Sequence, residues 1–138
     1  MPKLKKLVKK LNQQVEEIGG TISCGYLTTD PKHIISLDFC LGQGQPTEDN
    51  CVASIDLMQT SVDDDTNFNV DCYNDAFNYI KQTFRQAKAL QLLAVKFAFK
   101  LMKYTNSYNY QEQNATWDKL SRLIPRRTLI SEKALTDN

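Results

Sequence analysis

The stretch Cys72–Tyr104, CYNDAFNYIKQTFRQAKALQLLAVKFAFKLMKY, decides how the rest of the chain is read. It holds neither Gly nor Pro over 33 residues. The pattern predicts one uninterrupted helix of roughly 50 Å at a rise of 1.5 Å per residue. With each residue turned by about 100°, Tyr73, Phe77, Ile80, Phe84, Ala87, Ala94, Val95, Ala98, Leu101 and Met102 share about a third of the circumference, the width of a core-facing stripe. Lys81, Arg85, Lys88, Lys96, Lys100 and Lys103 fall on the opposite arc, and the stretch holds no acid beyond Asp75 to neutralise them. Leu92 and Phe99 lie inside that basic arc. Large apolar groups among cations suit a protein interface better than a phosphate track.

Upstream, Leu4, Leu7, Val8, Leu11, Val15 and Ile18 mark an amphipathic helix from about Lys3 to Ile18, with Lys3, Lys5, Lys6, Lys9 and Lys10 on its other side. Gly19 and Gly20 end it, since glycine tolerates the left-handed cap. The apolar period then changes to two. Ile22, Cys24 and Tyr26 alternate with Ser23 and Gly25, and Ile35, Leu37, Phe39 and Leu41 with Ser36, Asp38 and Cys40. A third run, Cys51 to Thr60, puts Ala53, Ile55 and Leu57 on one face. These read as half-buried strands joined by turn-rich TTDPK and GQGQPTEDN, hence a three-stranded antiparallel meander. Asn69 or Asp71 is the expected N-cap of the long helix. Beyond Asn106, NSYNYQEQN reads as a loop, Thr116 as the cap of a short helix WDKLSRLI, and Pro125 as its stop. The expected fold is α+β, a single domain over residues 1–125 followed by a tail at 126–138.

A chain of 138 residues can bury a core without disulfides or metal. Its net charge of +1 conceals a strong polarity. Residues 1–10 carry five Lys and no acid, residues 11–80 carry twelve acids against Lys32 alone, and residues 81–138 carry eleven bases and four acids. Such asymmetry speaks to partners and not to fold. Cys24, Cys40, Cys51 and Cys72 form no CxxC pair, and with His33 the one histidine they match no common zinc site. The N-terminus has no secretory apolar run and the longest apolar stretch is too short to span a bilayer, so a soluble cytoplasmic protein is expected.

No catalytic motif stands out. A Cys-His mechanism would need His33 with Cys24, Cys40 or Cys51, and no glycine-rich oxyanion loop or helix start accompanies those cysteines. Cys24 and Cys51 are expected on buried strand faces, acting as small apolar residues. Asp63, Asp65, Asn67, Asn69 and Asp71 alternate like a calcium loop, but Phe68 stands where an EF-hand needs Gly and Asn74 where it needs Glu. Neither a metal nor a cofactor is expected.

The order helix, three strands, helix resembles the double-stranded RNA-binding domain over residues 3 to about 88, and TDPKHIISL resembles the Gly-Pro-x-His loop of that family. The resemblance implies a lysine cluster at the start of the second helix. This chain has Asp71, Asn74 and Asp75 there, and acids repel the phosphates that such a cluster bridges. The likeness is one of topology.

The expected function is that of a small non-enzymatic protein that binds another protein or itself, as an assembly subunit or an inhibitor. Its expected contact residues are Lys81, Arg85, Lys88, Leu92, Lys96, Phe99 and Lys103 on the helix, with Asp63, Asp64 and Asp65 as an opposite-charge surface. The alternatives are nucleic-acid binding by the basic face, aided by Arg122, Arg126, Arg127, Tyr104, Tyr108, Tyr110 and Trp117, or an acidic segment that imitates nucleic acid.

Overall fold

Seventeen residues, Pro2–Ile18, form helix α1, opened by a proline at a position where its missing N–H is not needed. The computed structural model describes residues 2–27, 30–44, 47, 49–57, 70–74, 83–102 and 110–124. Leu4, Val8, Leu11 and Val15 are buried, and each contributes about 1.5–3 kcal/mol on leaving water. The exposed side carries Lys3, Lys5, Lys6, Lys9 and Lys10. Gly19 ends the helix at φ +93°, its N–H reaching the carbonyls of Val15 and Glu16 at 3.1 and 3.0 Å. Gly20 serves a different purpose. A Cβ there would stand 2.8 Å from the Cys40 carbonyl and 2.9 Å from the Leu90 methyls, so only glycine lets strand and helix approach this closely.

Strands β1 (Gly20–Leu27), β2 (Asp30–Leu41), β3 (Cys51–Asp56) and β4 (Val70–Cys72) make an antiparallel sheet in sequential order. The meander therefore has four strands, not three. The difference arises at residues 70–72, expected as the end of the connecting segment and the first residue of the long helix. Ala53, Ser54 and Ile55 pair with Cys72, Asp71 and Val70, so the edge of β3 takes up backbone groups that would otherwise begin a helix. Asp71 accordingly lies in a strand and is not an N-cap. The third strand also stops at Asp56, short of Thr60.

Helix α2 runs from Phe84 to Met102 and α3 from Tyr110 to Leu123. The α2 helix packs on β2, β3 and β4, α1 lies against β1 and touches both other helices, and α3 reaches β2. One apolar core joins Ile22, Cys24, Leu37, Phe39, Ala53 and Ile55 of the sheet to Ala87, Leu90, Ala94, Phe97, Ala98 and Leu101 of α2, and to Trp117 and Leu120 of α3. The buried arc of α2 is rotated from the expected one. Leu90 and Phe97 enter the core, whereas Tyr73 and Phe84 are 43% and 51% exposed. Tyr73 follows a strand instead of leading a helix, which removes the angular phase that placed it inside.

Two expectations for the C-terminal region also change. The α3 helix begins within NSYNYQEQN, and Thr116 is an interior, buried residue instead of a cap. No Gly or Pro interrupts Tyr110–Leu123, and Trp117, Leu120 and Ile124 recur at helical spacing to fill the core. Trp117 is thus core and offers no stacking surface. Among the described residues no helix is long and apolar enough to cross a membrane.

Candidate interaction surface

Because Ala87, Leu90, Ala94 and Leu101 fix one side of α2 against the sheet, helical geometry sends the residues half a turn away into solvent. Arg85, Lys88, Lys96 and Lys100 are exposed there, together with Leu92 at 56% and Phe99 at 57%. Of the expected contact residues, Arg85, Lys88, Leu92, Lys96 and Phe99 therefore share one surface. Phe84 belongs with them, although its angle had assigned it to the core. Lys81, Lys103, Asp63, Asp64 and Asp65 lie outside the described residues, as do Arg126, Arg127 and most of the calcium-like segment.

This surface has a partly ordered end. Lys88 Nζ sits 5.5 Å from the centroid of the Phe84 ring and 3.4 Å from Asn74 Oδ1. Gln91, buried one turn on, donates from Nε2 to the Val52 carbonyl at 3.0 Å and to the same Asn74 oxygen at 3.1 Å. Among the described residues no carboxylate lies within ion-pairing distance of Arg85, Lys88, Lys96 or Lys100. Arg122 differs, being paired with Asp118 at 2.8 Å. Toward α1 the surface continues into a shallow furrow of about 40 Å³, where Lys10, Lys96 and Lys100 stand around Leu7, Leu93 and Phe97. A wider cleft of about 360 Å³ at the far end of α1 is lined by Asn12, Val15, Glu16, Gly20, Thr21, Ile22 and Gln43. Among its described lining residues Glu16 is the one ionisable group, which gives no convergent chemistry.

The sheet carries a second group of polar residues on the face away from the core. Asp38 is 2% exposed, and its two carboxylate oxygens accept from Ser54 Oγ at 2.5 Å and Ser36 Oγ at 3.3 Å. Ser23, its cross-strand neighbour, is fully buried with no hydrogen-bond partner for its hydroxyl among the described residues. Cys40 and Cys51 are direct cross-strand partners beside this row. The alternation of β2 placed Ser36, Asp38 and Cys40 together correctly, but Cys51 was expected on the apolar face. A register shift after Phe39 accounts for the change: Phe39 opposes Ala53 while Cys40 opposes Cys51, so Val52 is the extra residue of a bulge. No periodicity rule reveals a bulge in a sequence.

Comparison with known proteins matches this chain to no family model, no curated protein and no solved structure.

Proposed function

We propose that this chain is a small non-enzymatic protein that acts by binding another protein or a second copy of itself, as an assembly subunit or an inhibitor, in a reducing compartment such as the cytoplasm. The outward face of α2 is the docking surface. The partner it suits combines apolar side chains with carboxylates.

One observation carries this reading: Leu92 and Phe99 stand more than half exposed among four cations that no described carboxylate neutralises. Covering two such side chains removes apolar surface worth on the order of 1–2 kcal/mol each. The surrounding ammonium and guanidinium groups select acidic partners and speed their encounter. The four cysteines, none in a disulfide, agree with a reducing compartment.

The test is native mass measurement of the purified chain, alone and after co-purification from its source, with Leu92→Asp and Phe99→Asp variants alongside. A defined complex that both substitutions dissolve, at unchanged helicity, supports the reading. A chain that stays monomeric and uncomplexed in every preparation overturns it. Nucleic-acid binding is the second reading, favoured by the same four cations, which no described carboxylate neutralises. It requires an affinity that falls steeply with salt and is lost in Arg85→Glu and Lys88→Glu while surviving Leu92→Asp.

A further inference from the structure

The thiols of Cys40 and Cys51 lie apart from the main core, as a separate buried pair at the bulge between β2 and β3. Directly opposed residues of antiparallel strands have Cα atoms about 4.5–5.5 Å apart. A disulfide requires about 4.4–6.8 Å. The bulge makes this possible: without the extra residue Val52, Cys51 would point to the other face of the sheet. We propose that Cys40 and Cys51 are a redox-active dithiol, oxidised to an intramolecular disulfide by exchange with a small-molecule disulfide of the glutathione type.

The two thiols have different roles. Cys51 is 5% exposed and Cys40 fully buried. Cys51 follows a connection whose Gly42, Gln43 and Gly44 are exposed, and its N–H is held by the Thr47 carbonyl at 3.1 Å, so a local opening of this connection uncovers Cys51 first. A hydrogen bond from Cys40 holds the Cys51 thiol below its ordinary pKa, against burial and the charge of Asp38, with Ser54 and the Ala53 backbone contributing less. Cys51 is therefore the attacking group. Its thiolate attacks one sulfur of glutathione disulfide, forming a mixed disulfide at Cys51 and releasing one glutathione thiolate. Cys40 then gives up its proton and attacks Cys51 Sγ, forming the Cys40–Cys51 bond and expelling the second glutathione. Two electrons pass from the protein to glutathione disulfide, and the two thiol protons end on the two glutathione molecules. The product closes the 41–50 connection into a ring and ties β2 to β3. This inference does not depend on the partner surface of α2.

The experiment uses the full chain with Cys72→Ser, which removes the exposed thiol. The folded protein is equilibrated in glutathione buffers of increasing oxidised fraction, quenched with acid, alkylated and weighed whole and as peptides. The expected product has lost two hydrogens, links the Cys40 and Cys51 peptides, and melts at a higher temperature than the reduced form. In Cys40→Ala a single glutathione is expected to remain on Cys51, because no second thiol resolves it. Should the parent stay fully reduced in the most oxidising buffer while folded, or stop at a glutathione adduct on Cys51, the proposal is overturned. Because the parent protein carries the main reading, failure of the variant to fold does not leave the question open.

Discussion

Lys88 holds its ammonium group over the face of Phe84, one turn earlier in α2, at 5.5 Å from the ring centroid. The ring, half-exposed at the start of the helix, gains a cation over its face, and the lysine gains a contact besides its hydrogen bond to Asn74. Together they order the end of the proposed docking face nearest β4. A double-mutant cycle of Phe84→Ala and Lys88→Ala by urea unfolding should give a coupling energy of about 0.5–1 kcal/mol, the range of a cation–π contact near water. A coupling of zero would mean that the two side chains move independently in solution.

Gln91 ties this surface to the sheet beneath it. It is 6% exposed, and its amide donates to Val52 O and to Asn74 Oδ1. Gln91→Ala should cost about 2 kcal/mol, from two hydrogen bonds and lost packing. Gln91→Glu should cost more at neutral pH, because a carboxylate would face two oxygen acceptors with burial denying it water. That extra loss should shrink below about pH 5, when the new side chain becomes protonated. Urea midpoints at pH 7 and pH 4.5 check both the order and the narrowing of the gap.

The two halves of the chain were not equally legible. In α1 the apolar residues repeat without conflict from Leu4 to Val15 and two glycines follow, so propensity, periodicity and capping agree. At residues 70–84 they conflict. Val70, Asp71 and Cys72 fit a strand or a helix start equally well, and the open edge of β3, which no local rule can see, selects the strand. Phe84 was misplaced as a consequence, since its burial was inferred from an arc that began at Tyr73. The exposed positions of Leu92 and Phe99 were legible because they depend only on their angle to Ala87, Ala94 and Ala98 within a helix that does form. The thiol pair was hidden because a one-residue bulge inverts the face of Cys51.

The contact between Gly20, the Cys40 carbonyl and Leu90 leads to a sharper stability test. A methyl group at residue 20 would meet a backbone oxygen at 2.8 Å, and a strand held in a ladder cannot retreat as a flexible side chain could. Gly20→Ala should destabilise by about 1–3 kcal/mol through overpacking. Trimming the helix side with Leu90→Val should not restore it, because the carbonyl clash persists. Gly19→Ala should cost about 1–2 kcal/mol for a separate reason, its φ of +93°. Thermal melts of the three single variants and the Gly20→Ala, Leu90→Val double variant distinguish the two causes.

Tyr73 and Cys51 give the fold opposite responses to alkali. Partial burial raises the Tyr73 phenol above its ordinary value near 10, as do the charges of Asp71, Cys51 and Asp38, against a lowering hydrogen bond with Ser54. The unfolded chain therefore releases this proton first. The stability that Tyr73 contributes is complete below pH 10 and declines as pH climbs through the higher folded value. For Cys51 the folded pKa lies below 9, so its contribution is complete above pH 9 and disappears as pH falls through the folded value. Tyr73→Phe should accordingly flatten the fall in stability above pH 10, and Cys51→Ala should remove a gain that develops approaching pH 9. Urea unfolding of both variants from pH 7 to 11 measures the two slopes. If Tyr73→Phe leaves the alkaline slope unchanged, the phenol is as well solvated in the folded protein as in the unfolded chain, and its placement beside Ser54 is wrong.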